Sequence, residues 1–442
     1  MAAEPVSLPR HQDPAPPLLP AAAIRDFVGY HFSRRALYLR ALQQAAPPVY
    51  LLDRAVLRHK ADTFRQAFRK VLPATAFYYA VKSNNHPLVA ATLLASGFGL
   101  DVSSGVELEM ALALRAGDII FSGPGKTDRE LALAVAHSER VVVLIDSFGE
   151  LARLRRITDR LGREIRAGIR LNNNPHGLWR KFGILPEELA AFWAEARRTP
   201  AVKLQGIQFH SSWNLDPEKQ ISFIAKLGAT IRTLPPAVRA EINFIDIGGG
   251  YWPPQGEWLR AAGAEVGQPA ARYRLAAAPI EVFAARLAAA LAEHIFSLLT
   301  CRICFEPGRW LCNDAMHLLL SVVDLKMADL AVTDGGTNAV GWERFEVDYC
   351  PVLNLSRPAL SERSCLIVGS LCTPHDLWGD AYWGEDIQPG DLLLIPDQGA
   401  YTYSLRQNFI KAPPAVVTLA EIEPGGIAEG RQNDGGGQPV RG

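Results

Sequence analysis

Short apolar runs alternate, through the first half of the chain, with segments whose apolar residues recur at helical spacing. We predict one strand at each of eight such runs. The runs are VYLLD (49–53), AFYYAVK (76–82), GLDVSS (99–104), DIIFSGP (118–124), VVVLIDS (141–147), IRAGIRLN (165–172), LQGIQFHSS (204–212) and NFIDIGGG (243–250). Intervening segments such as HPLVAATLLASG and VELEMALALRAG end in glycine, as helices often do. Strands that alternate with helices favour parallel pairing, and eight such units predict an α/β fold of the TIM-type (β/α)8 barrel kind.

An open doubly wound sheet is the alternative architecture, but the chain lacks the early G-x-G-x-x-G turn of such nucleotide-binding sheets. Beyond residue 250 the pattern changes. The segment PPQGEWLRAAGAEVGQPAARYR reads as an insertion, and strand-like runs without regular helices follow from CRICFEP (301–307) onward. We therefore predict a C-terminal β-rich domain after the barrel.

The predicted division of the chain has five parts. They are a disordered N-terminal tail (1–22), a segment that packs on the β-domain (23–46), the barrel (47–294), the C-terminal β-domain (295–422) and a disordered Gly-rich tail (423–442).

Composition and charge narrow the class of partner. Apolar residues make up 48% of the 442 residues, and Lys plus Arg equals Asp plus Glu at 46 each. This balance gives no basic field for nucleic acid or an anionic membrane, so a small-molecule partner is predicted. No apolar run is long enough for a signal peptide or a membrane span, which predicts the cytoplasm. Six cysteines do not make a disulfide framework in a chain of this length, and we predict that Cys301 and Cys304 pack in the core rather than bind a metal.

Polar residues stand where the predicted barrel strands end, which is where barrels of this type build their active sites. These residues are Lys82, Asp101, Arg170, Asn172, His210 and Gly248 to Gly250. A buried strand that ends on a lysine needs a partner or a use for the amine. Three successive glycines expose backbone N–H groups and predict an anion site. An amine beside a phosphate site is what pyridoxal phosphate requires.

Several motifs in register make the chain resemble the pyridoxal phosphate-dependent decarboxylases of barrel type, which include the ornithine, arginine and diaminopimelate decarboxylases. The resemblance covers residues ~50 to 410. The motifs are YAVKSNN, GLDVSSGVELEMAL, RKFGI, FHSSW, DIGGGY, FEPGRW, GSLCTPHD and GAYTYSLRQNF.

The resemblance implies a role for each matching residue. Lys82 matches the lysine that forms a Schiff base with the cofactor, desolvated so that it reacts as a neutral amine. His210 matches the imidazole that stacks on the cofactor ring, Glu306 matches the carboxylate at the ring nitrogen, and Cys372 matches the thiol that returns a proton to Cα. The other implied cofactor-binding residues are Asp101, Arg170, Gly248, Gly249, Gly250, Gly308, Arg309 and Tyr401.

Departures from the family pattern concern the substrate. Trp213 stands where a serine usually helps to hold the phosphate, and Thr373 stands where diaminopimelate decarboxylases carry an acid. The substrate-binding candidates are Asp334, Arg344, Thr373 and Asp376. Because the distal pocket matches neither the diaminopimelate nor the ornithine type, a larger or unusual amino acid is predicted. The resemblance also implies a homodimer with shared active sites, in which Lys181 of one chain pairs with Asp376 of the other.

Two other functions fit the same fold. An amino-acid racemase would need two bases about Cα and usually has an arginine at the ring nitrogen, where this chain has Glu306. A catalytically inactive regulatory homologue tends to lose the lysine or the cysteine, and this chain keeps both Lys82 and Cys372. We therefore expect decarboxylation of an amino acid or amino-acid conjugate.

Overall fold

The computed structural model describes residues 16–261, 271–341 and 348–420. Its strands are, in chain order, β1 (Val49–Leu52), β2 (Thr75–Ala80), β3 (Gly99–Val102), β4 (Ile119–Phe121), β5 (Val141–Ile145), β6 (Ile165–Leu171), β7 (Val202–Phe209), β8 (Phe244–Asp246), β9 (Glu257–Arg260), β10 (Arg272–Leu275), β11 (Arg302–Phe305), β12 (Met316–Met327), β13 (Leu330–Thr333), β14 (Val352–Asn354), β15 (Glu362–Val368), β16 (Leu377–Trp383), β17 (Leu392–Ile395) and β18 (Ala415–Thr418). Its helices are α1 (Ala21–Ser33), α2 (Arg35–Arg40), α3 (Arg54–Arg69), α4 (Pro87–Ala95), α5 (Gly105–Ala113), α6 (Asp128–Ala136), α7 (Phe148–Leu161), α8 (Leu189–Arg197), α9 (Glu218–Thr233), α10 (Pro236–Arg239), α11 (Ile280–His294) and α12 (Arg309–Cys312).

Eight parallel strands close into the predicted barrel, in the order β11-β2-β3-β4-β5-β6-β7-β8. Helices follow most of the strands, and their ends carry ordinary caps. Asp53 caps α3, for example, and Gly162 ends α7 in the left-handed conformation. Inside the barrel, Gly168 and Gly206 leave room for the ring of Phe244, since a Cβ at either position would meet it within 3 Å. The barrel interior is therefore filled, and the carboxyl ends of its strands open on one face.

The sequence-based assignment of the first barrel strand is wrong. Val49–Leu52 pairs antiparallel with Met316–Leu319 and parallel with Ala415–Thr418, so it belongs to the sheet of the β-domain. The strand that closes the barrel is instead β11, which pairs with β8 and β2. The barrel thus extends past the predicted boundary at residue 294. Cys301 and Cys304 are buried beside this strand and free, which confirms their predicted packing role.

A second sheet forms the β-domain, in the order β13-β15-β16-β14-β17-β12-β1-β18. The N-terminal helices cover part of it. Ile24, Val28, Leu37 and Tyr38 share an apolar cluster with β1, β12, β14, β17 and β18. Disorder over the whole of residues 1–22 is contradicted at the end of that range, because Pro17 and Leu19 bond to β10 and α1 begins at Ala21. Residues 1–15 and the tail 423–442 lie outside the described residues.

The segment predicted to be an insertion contains the antiparallel hairpin of β9 and β10, with residues 262–270 outside the described part. It lies in the chain between β8 and β11, together with α11. This long connection separates the last two barrel strands in sequence while they pair in space. No helix in the described ranges is long and apolar enough to cross a membrane.

Candidate active site

The carboxyl ends of the barrel strands surround a cavity of about 310 Å³. Seven of the residues predicted from the sequence line it: Lys82, His210, Gly250, Glu306, Gly308, Arg309 and Tyr401. Ala80, Ser212, Trp213, Trp252 and Leu405 also line it. The structure therefore collects most of the predicted cofactor-binding residues in one place.

Lys82 contacts a buried carboxylate. It lies in the short helical turn Val81–Ser83 after β2, and its side chain is 35% exposed toward the cavity. Its Nζ donates to Asp101 Oδ2 at 2.8 Å, and the Ser122 hydroxyl donates to the other oxygen of Asp101. Asp101 is fully buried on β3, so Lys82 is the cation that compensates its charge.

The acids around Lys82 oppose the desolvation that favours a neutral amine. Burial acts to lower the pKa of the amine, but the carboxylates of Asp101 and Glu306 outweigh it and raise the pKa above its usual value. The two carboxylates thus favour the ammonium form of Lys82. It must lose a proton before it can act as a nucleophile.

Glu306 is a buried carboxyl group with an unsatisfied oxygen. It follows β11, where its backbone N–H donates to the carbonyl of Gly248 at 2.9 Å. Its Oε2 accepts a long bond from Gln208 Nε2 at 3.4 Å, whereas its Oε1 is buried with no hydrogen-bond partner. A buried oxygen without a donor is costly, and a carboxyl proton on the neighbouring Asp246, which is hydrogen-bonded to Glu306, relieves that cost.

Asp246, at the end of β8, is a second buried acid beside Glu306. Its Oδ1 accepts from the Gly248 N–H at 2.8 Å. Burial raises its pKa to about 7, and the charge of Asp101 adds to the effect. Burial also holds the pKa of Glu306 well above its usual range, and the charges of Asp101 and Asp246 contribute. Burial therefore disfavours the ionised form of both acids.

His210 is held as a neutral ring. The Gly249 N–H donates to its Nδ1 at 3.2 Å, so Nδ1 carries no proton, and its Nε2 lies 3.4 Å from Ser212 Oγ. Burial lowers the pKa of His210 well below the usual value, and the charges of Lys82 and Arg170 add to this. A neutral imidazole in the cavity wall offers a flat face for packing without adding charge.

The glycine triplet leaves fewer backbone amides free for an anion than the sequence predicts. The N–H of Gly248 donates to Asp246 and that of Gly249 donates to His210, so two of the three amides are used within the chain. Gly250 is the member of the triplet that lines the cavity. Its φ of +83° requires glycine, and a Cβ at this position would lie only 2.2 Å from the carbonyl oxygen of Ser211. The triplet thus contributes one amide rather than three.

Arg309 brings a positive charge to the same side of the cavity. Its guanidinium lies 4.2 Å from the ring centre of Trp252 and 4.9 Å from that of Tyr401. Stacking between two rings fixes the orientation of the guanidinium. Ser212 also lines this cavity, whereas Ser211 is buried and accepts from Asn173 Nδ2. Of the two serines in HSSW, Ser212 is the one placed to replace the usual phosphate-side serine.

Arg170 lies outside the lining of the cavity but acts on it through its charge. Its side chain is buried, and its guanidinium lies 4.4 Å from the ring centre of Phe182. The positive charge lowers the pKa of His210 and opposes the rise in the pKa of Glu306. Arg170 thus helps to keep the ring neutral and the carboxyl ionisable.

The predicted substrate-binding residues that the structure describes are absent from the lining of this cavity. Asp376 is buried, and its carboxylate accepts from the Thr337 N–H at 2.7 Å, the Thr337 hydroxyl at 3.0 Å and the Leu371 N–H at 2.7 Å. It therefore holds the loop of Cys372 and is not placed at a surface to meet Lys181. Asp334 accepts from the Ser321 N–H at 2.9 Å in the β-domain. Cys372 is exposed, Thr373 is half-buried, and Arg344 lies outside the described residues.

The sequence did not lead us to four neighbours of the site, which are Asp246, Gln208, Ser122 and Trp252. Two of them carried a usable signal. Gln208 lies two residues before His210, and side chains two apart on a strand share a face. Asp246 likewise ends β8 just before the triplet, at the same edge as the predicted residues. Ser122 and Trp252 had no such signal, because their roles depend on contacts with Asp101 and Arg309 from other segments.

A second lysine near the strand ends, Lys126, is fully buried. Its Nζ donates to the carbonyls of Gly123 and Leu144 and to Glu150 Oε1, at 2.6, 2.7 and 2.8 Å. All three N–H bonds of its ammonium are thus used within the chain. Lys126 has a structural place, and Lys82 is the lysine that lines the cavity.

The chain is similar to decarboxylases in both sequence and fold. The family model of the pyridoxal-binding domain of pyridoxal-dependent decarboxylases matches residues 57–313, more than half of the chain. The diaminopimelate decarboxylase of Methanothermobacter thermautotrophicus is 28% identical over 396 residues, which cover 85% of this chain and 87% of that protein. The 2-[(L-alanin-3-ylcarbamoyl)methyl]-2-hydroxybutanedioate decarboxylase of Staphylococcus aureus is 26% identical over 413 residues, which cover 87% and 98%. In fold, the chain is similar to a Helicobacter pylori diaminopimelate decarboxylase solved with L-lysine, with a TM-score of 0.71, 24% identity and coverage of 87% and 94%.

Proposed function

We propose that this chain, which belongs to the pyridoxal-dependent decarboxylases, acts on an amino-acid conjugate and that the Lys82 cavity is its active site. Its cofactor is pyridoxal phosphate, and its reaction is the decarboxylation of an amino acid or amino-acid conjugate. The single observation that carries the site assignment is the meeting of Lys82, Glu306 and Arg309 in the lining of one cavity.

The residues of the cavity fit pyridoxal phosphate. The cofactor needs an amine for covalent attachment, an acceptor for the N–H of its pyridine ring and a cradle for its phosphate. Lys82 supplies the amine. The carboxylate of Glu306 lines the same cavity and can accept the N–H of the pyridine ring. Gly250, Ser212, Arg309 and Tyr401 line the cavity and offer an amide, hydroxyl groups and a positive charge for the phosphate.

Each side chain then has a defined task. When bound, the cofactor with its ring nitrogen protonated accepts the electron pair that the Cα–carboxylate bond releases. Glu306 holds the proton at the ring nitrogen, and the charges of Lys82 and Arg170 favour its ionised form. His210 would offer the cofactor ring a neutral face for packing, and Asp101 orients the amine of Lys82.

The conjugate class of substrate rests on departures from both well-known types and on one relative. Thr373 and Trp213 replace residues usual in the family, and Asp334 is engaged with the backbone of Ser321. The name of the Staphylococcus aureus relative describes an alanine joined through a carbamoyl group to a hydroxybutanedioate. We propose a substrate of comparable kind, an amino acid extended at its distal end.

A second copy of the chain is proposed to complete the site. Cys372 and Thr373 are accessible on the β-domain but do not line the cavity of their own chain. A head-to-tail dimer would bring Cys372 to the cavity of its partner, where the thiol could return a proton to Cα. Dimerisation and the cytoplasmic location stay predictions.

The function is tested by incubating the protein with pyridoxal phosphate and a panel of basic, acidic and acylated amino acids while measuring carbon dioxide. We expect gas release with an amine as product, and faster release from acylated than from simple amino acids. Formation of the opposite enantiomer without gas would identify a racemase. Equal or faster release from L-ornithine or diaminopimelate would contradict the proposed conjugate class.

A further inference from the structure

A second cavity adjoins the proposed active site. Its volume is about 650 Å³, and it shares His210, Ser212 and Trp213 with the Lys82 cavity. Its far side is formed by the first turns of α9, including Lys219 and Lys226. A cavity of this size that meets a cofactor site has room for the distal part of an extended substrate.

Trp213 forms the wall between the two cavities in an unusual conformation. Its φ is +53°, in the left-handed region that large side chains seldom adopt, and 57% of its surface is exposed. Its indole N–H donates a long bond to Glu257 Oε1 at 3.4 Å. A strained and exposed aromatic residue at a cavity wall is a sign of a role in binding.

The charges around the second cavity favour an anion. Glu218 is paired with Arg286, and Lys226 lies 3.1 Å from Glu187 in an exposed ion pair. Lys219 is exposed and has no ion-pair partner among the residues that the structure describes. Asn173 and Asn174 add amide groups to the lining. The cation without a partner at this wall is therefore Lys219.

We propose that this second cavity is the distal substrate subsite and that it binds an anionic group at the far end of an amino-acid conjugate, with Trp213 as the wall along which the linker lies. The inference rests on the proposed function and deepens it by naming the charge of the distal group. A carboxylate and a phosphate would both satisfy it, because both accept hydrogen bonds from an ammonium group.

The test compares three ligands on the pyridoxal phosphate-loaded enzyme: Nε-succinyl-L-lysine, Nε-acetyl-L-lysine and L-lysine. The first two share the amide linker, and the succinyl compound extends it by a CH2–COO− group. Affinity is measured from the change in cofactor absorbance, and carbon dioxide is measured in parallel. We expect the succinyl compound to bind about 1.5- to fivefold more tightly than the acetyl compound, the range for one accessible charge contact. A phosphoryl analogue of equal length then tells the two anions apart.

Three variants assign the effect. Lys219→Glu should abolish or reverse the preference for the succinyl compound. Lys203→Glu is the control for a charge change elsewhere on the surface, because Lys203 is exposed, pairs with Glu164 and lies near the start of β7, at the opposite end of the barrel. It should leave the preference unchanged. Trp213→Gly, which keeps the left-handed backbone without strain, should weaken both acylated lysines alike.

The inference is overturned if the wild-type enzyme binds the succinyl and acetyl compounds equally, or if Lys219→Glu and Lys203→Glu have the same effect. These results leave the proposed decarboxylation intact when carbon dioxide is still released. If no amino acid alters the cofactor absorbance or releases gas, the proposed function fails and this inference fails with it.

Discussion

At the scale of single residues, the site contains more buried acidic groups than cations to compensate their charges. Asp101, Asp246 and Glu306 are almost fully buried, and Lys82 and Arg170 are the cations that act on them. Burial raises the pKa of both Asp246 and Glu306, which disfavours two adjacent negative charges.

The first prediction concerns the pH dependence of stability in the cofactor-free protein. Burial raises the pKa of Asp246 to about 7, above the unfolded value of about 3.9. The folded chain therefore binds this proton more tightly and loses stability as the pH rises from about 4 to about 7. Asp246→Asn removes that loss, so the variant should gain more in Tm relative to wild type at pH 8 than at pH 5. An equal shift at both pH values would contradict the account.

Glu306→Gln is expected to slow decarboxylation while the cofactor still attaches to Lys82. A neutral amide cannot hold the proton on the ring nitrogen that draws charge away from Cα. Loss of one such contact costs on the order of a hundredfold in rate. The measurement is kcat by carbon dioxide release, with cofactor content followed by absorbance. Turnover at the wild-type rate would mean that the ring nitrogen has another partner.

Residue identities at the site were partly predictable from the sequence. Lys82, His210 and Glu306 could be placed because each follows an apolar run or belongs to a motif at a strand end. The Gly248–Gly250 triplet was read as an open anion site, but two of its amides are used by Asp246 and His210. Such local competition for an N–H depends on side chains from other strands, which no local pattern reveals.

At the scale of elements, one strand was misplaced because a buried run looks the same in either sheet. β1 is buried throughout, as expected of a barrel strand. However, it pairs with β12 and packs against the N-terminal helices instead. β11 was missed as the eighth strand because the β9–β10 hairpin and α11 interrupt the regular repeat before it. Strand existence follows from local pattern, whereas sheet membership is decided by pairing over long sequence distances.

The ion pair of Lys126 and Glu150 ties the β4 loop and β5 to α7. Burial lowers the pKa of Lys126 and raises that of Glu150, and the pair offsets both costs. Lys126→Met should destabilise the protein by about 3–5 kcal/mol, because it leaves a buried carboxylate without its cation. Urea unfolding measures the loss. The double variant with Glu150→Leu should lose less than the single variant, and Lys203→Met should change stability by less than about 0.5 kcal/mol. A loss below about 1 kcal/mol for Lys126→Met would contradict this role.

At the scale of the whole molecule, the proposed dimer is what would bring Cys372 to the cavity of Lys82. Lys82 lines the cavity of the barrel, and Cys372 lies exposed on the β-domain, outside that cavity. Mixing the inactive variants Lys82→Ala and Cys372→Ala under conditions of subunit exchange should restore about a quarter of wild-type activity, from random pairing of complementary subunits. No recovery despite proven exchange would mean that each chain builds its own site.

The central claim is that Lys82 holds the cofactor, and one measurement tests it directly. The protein is reconstituted with pyridoxal phosphate, reduced with borohydride, digested and mapped by mass spectrometry. The account predicts the pyridoxyl label on the peptide that contains Lys82, and none on Lys126, whose donors are used within the chain. A label on Lys126 or another lysine, or no label at all after reconstitution, would contradict the account.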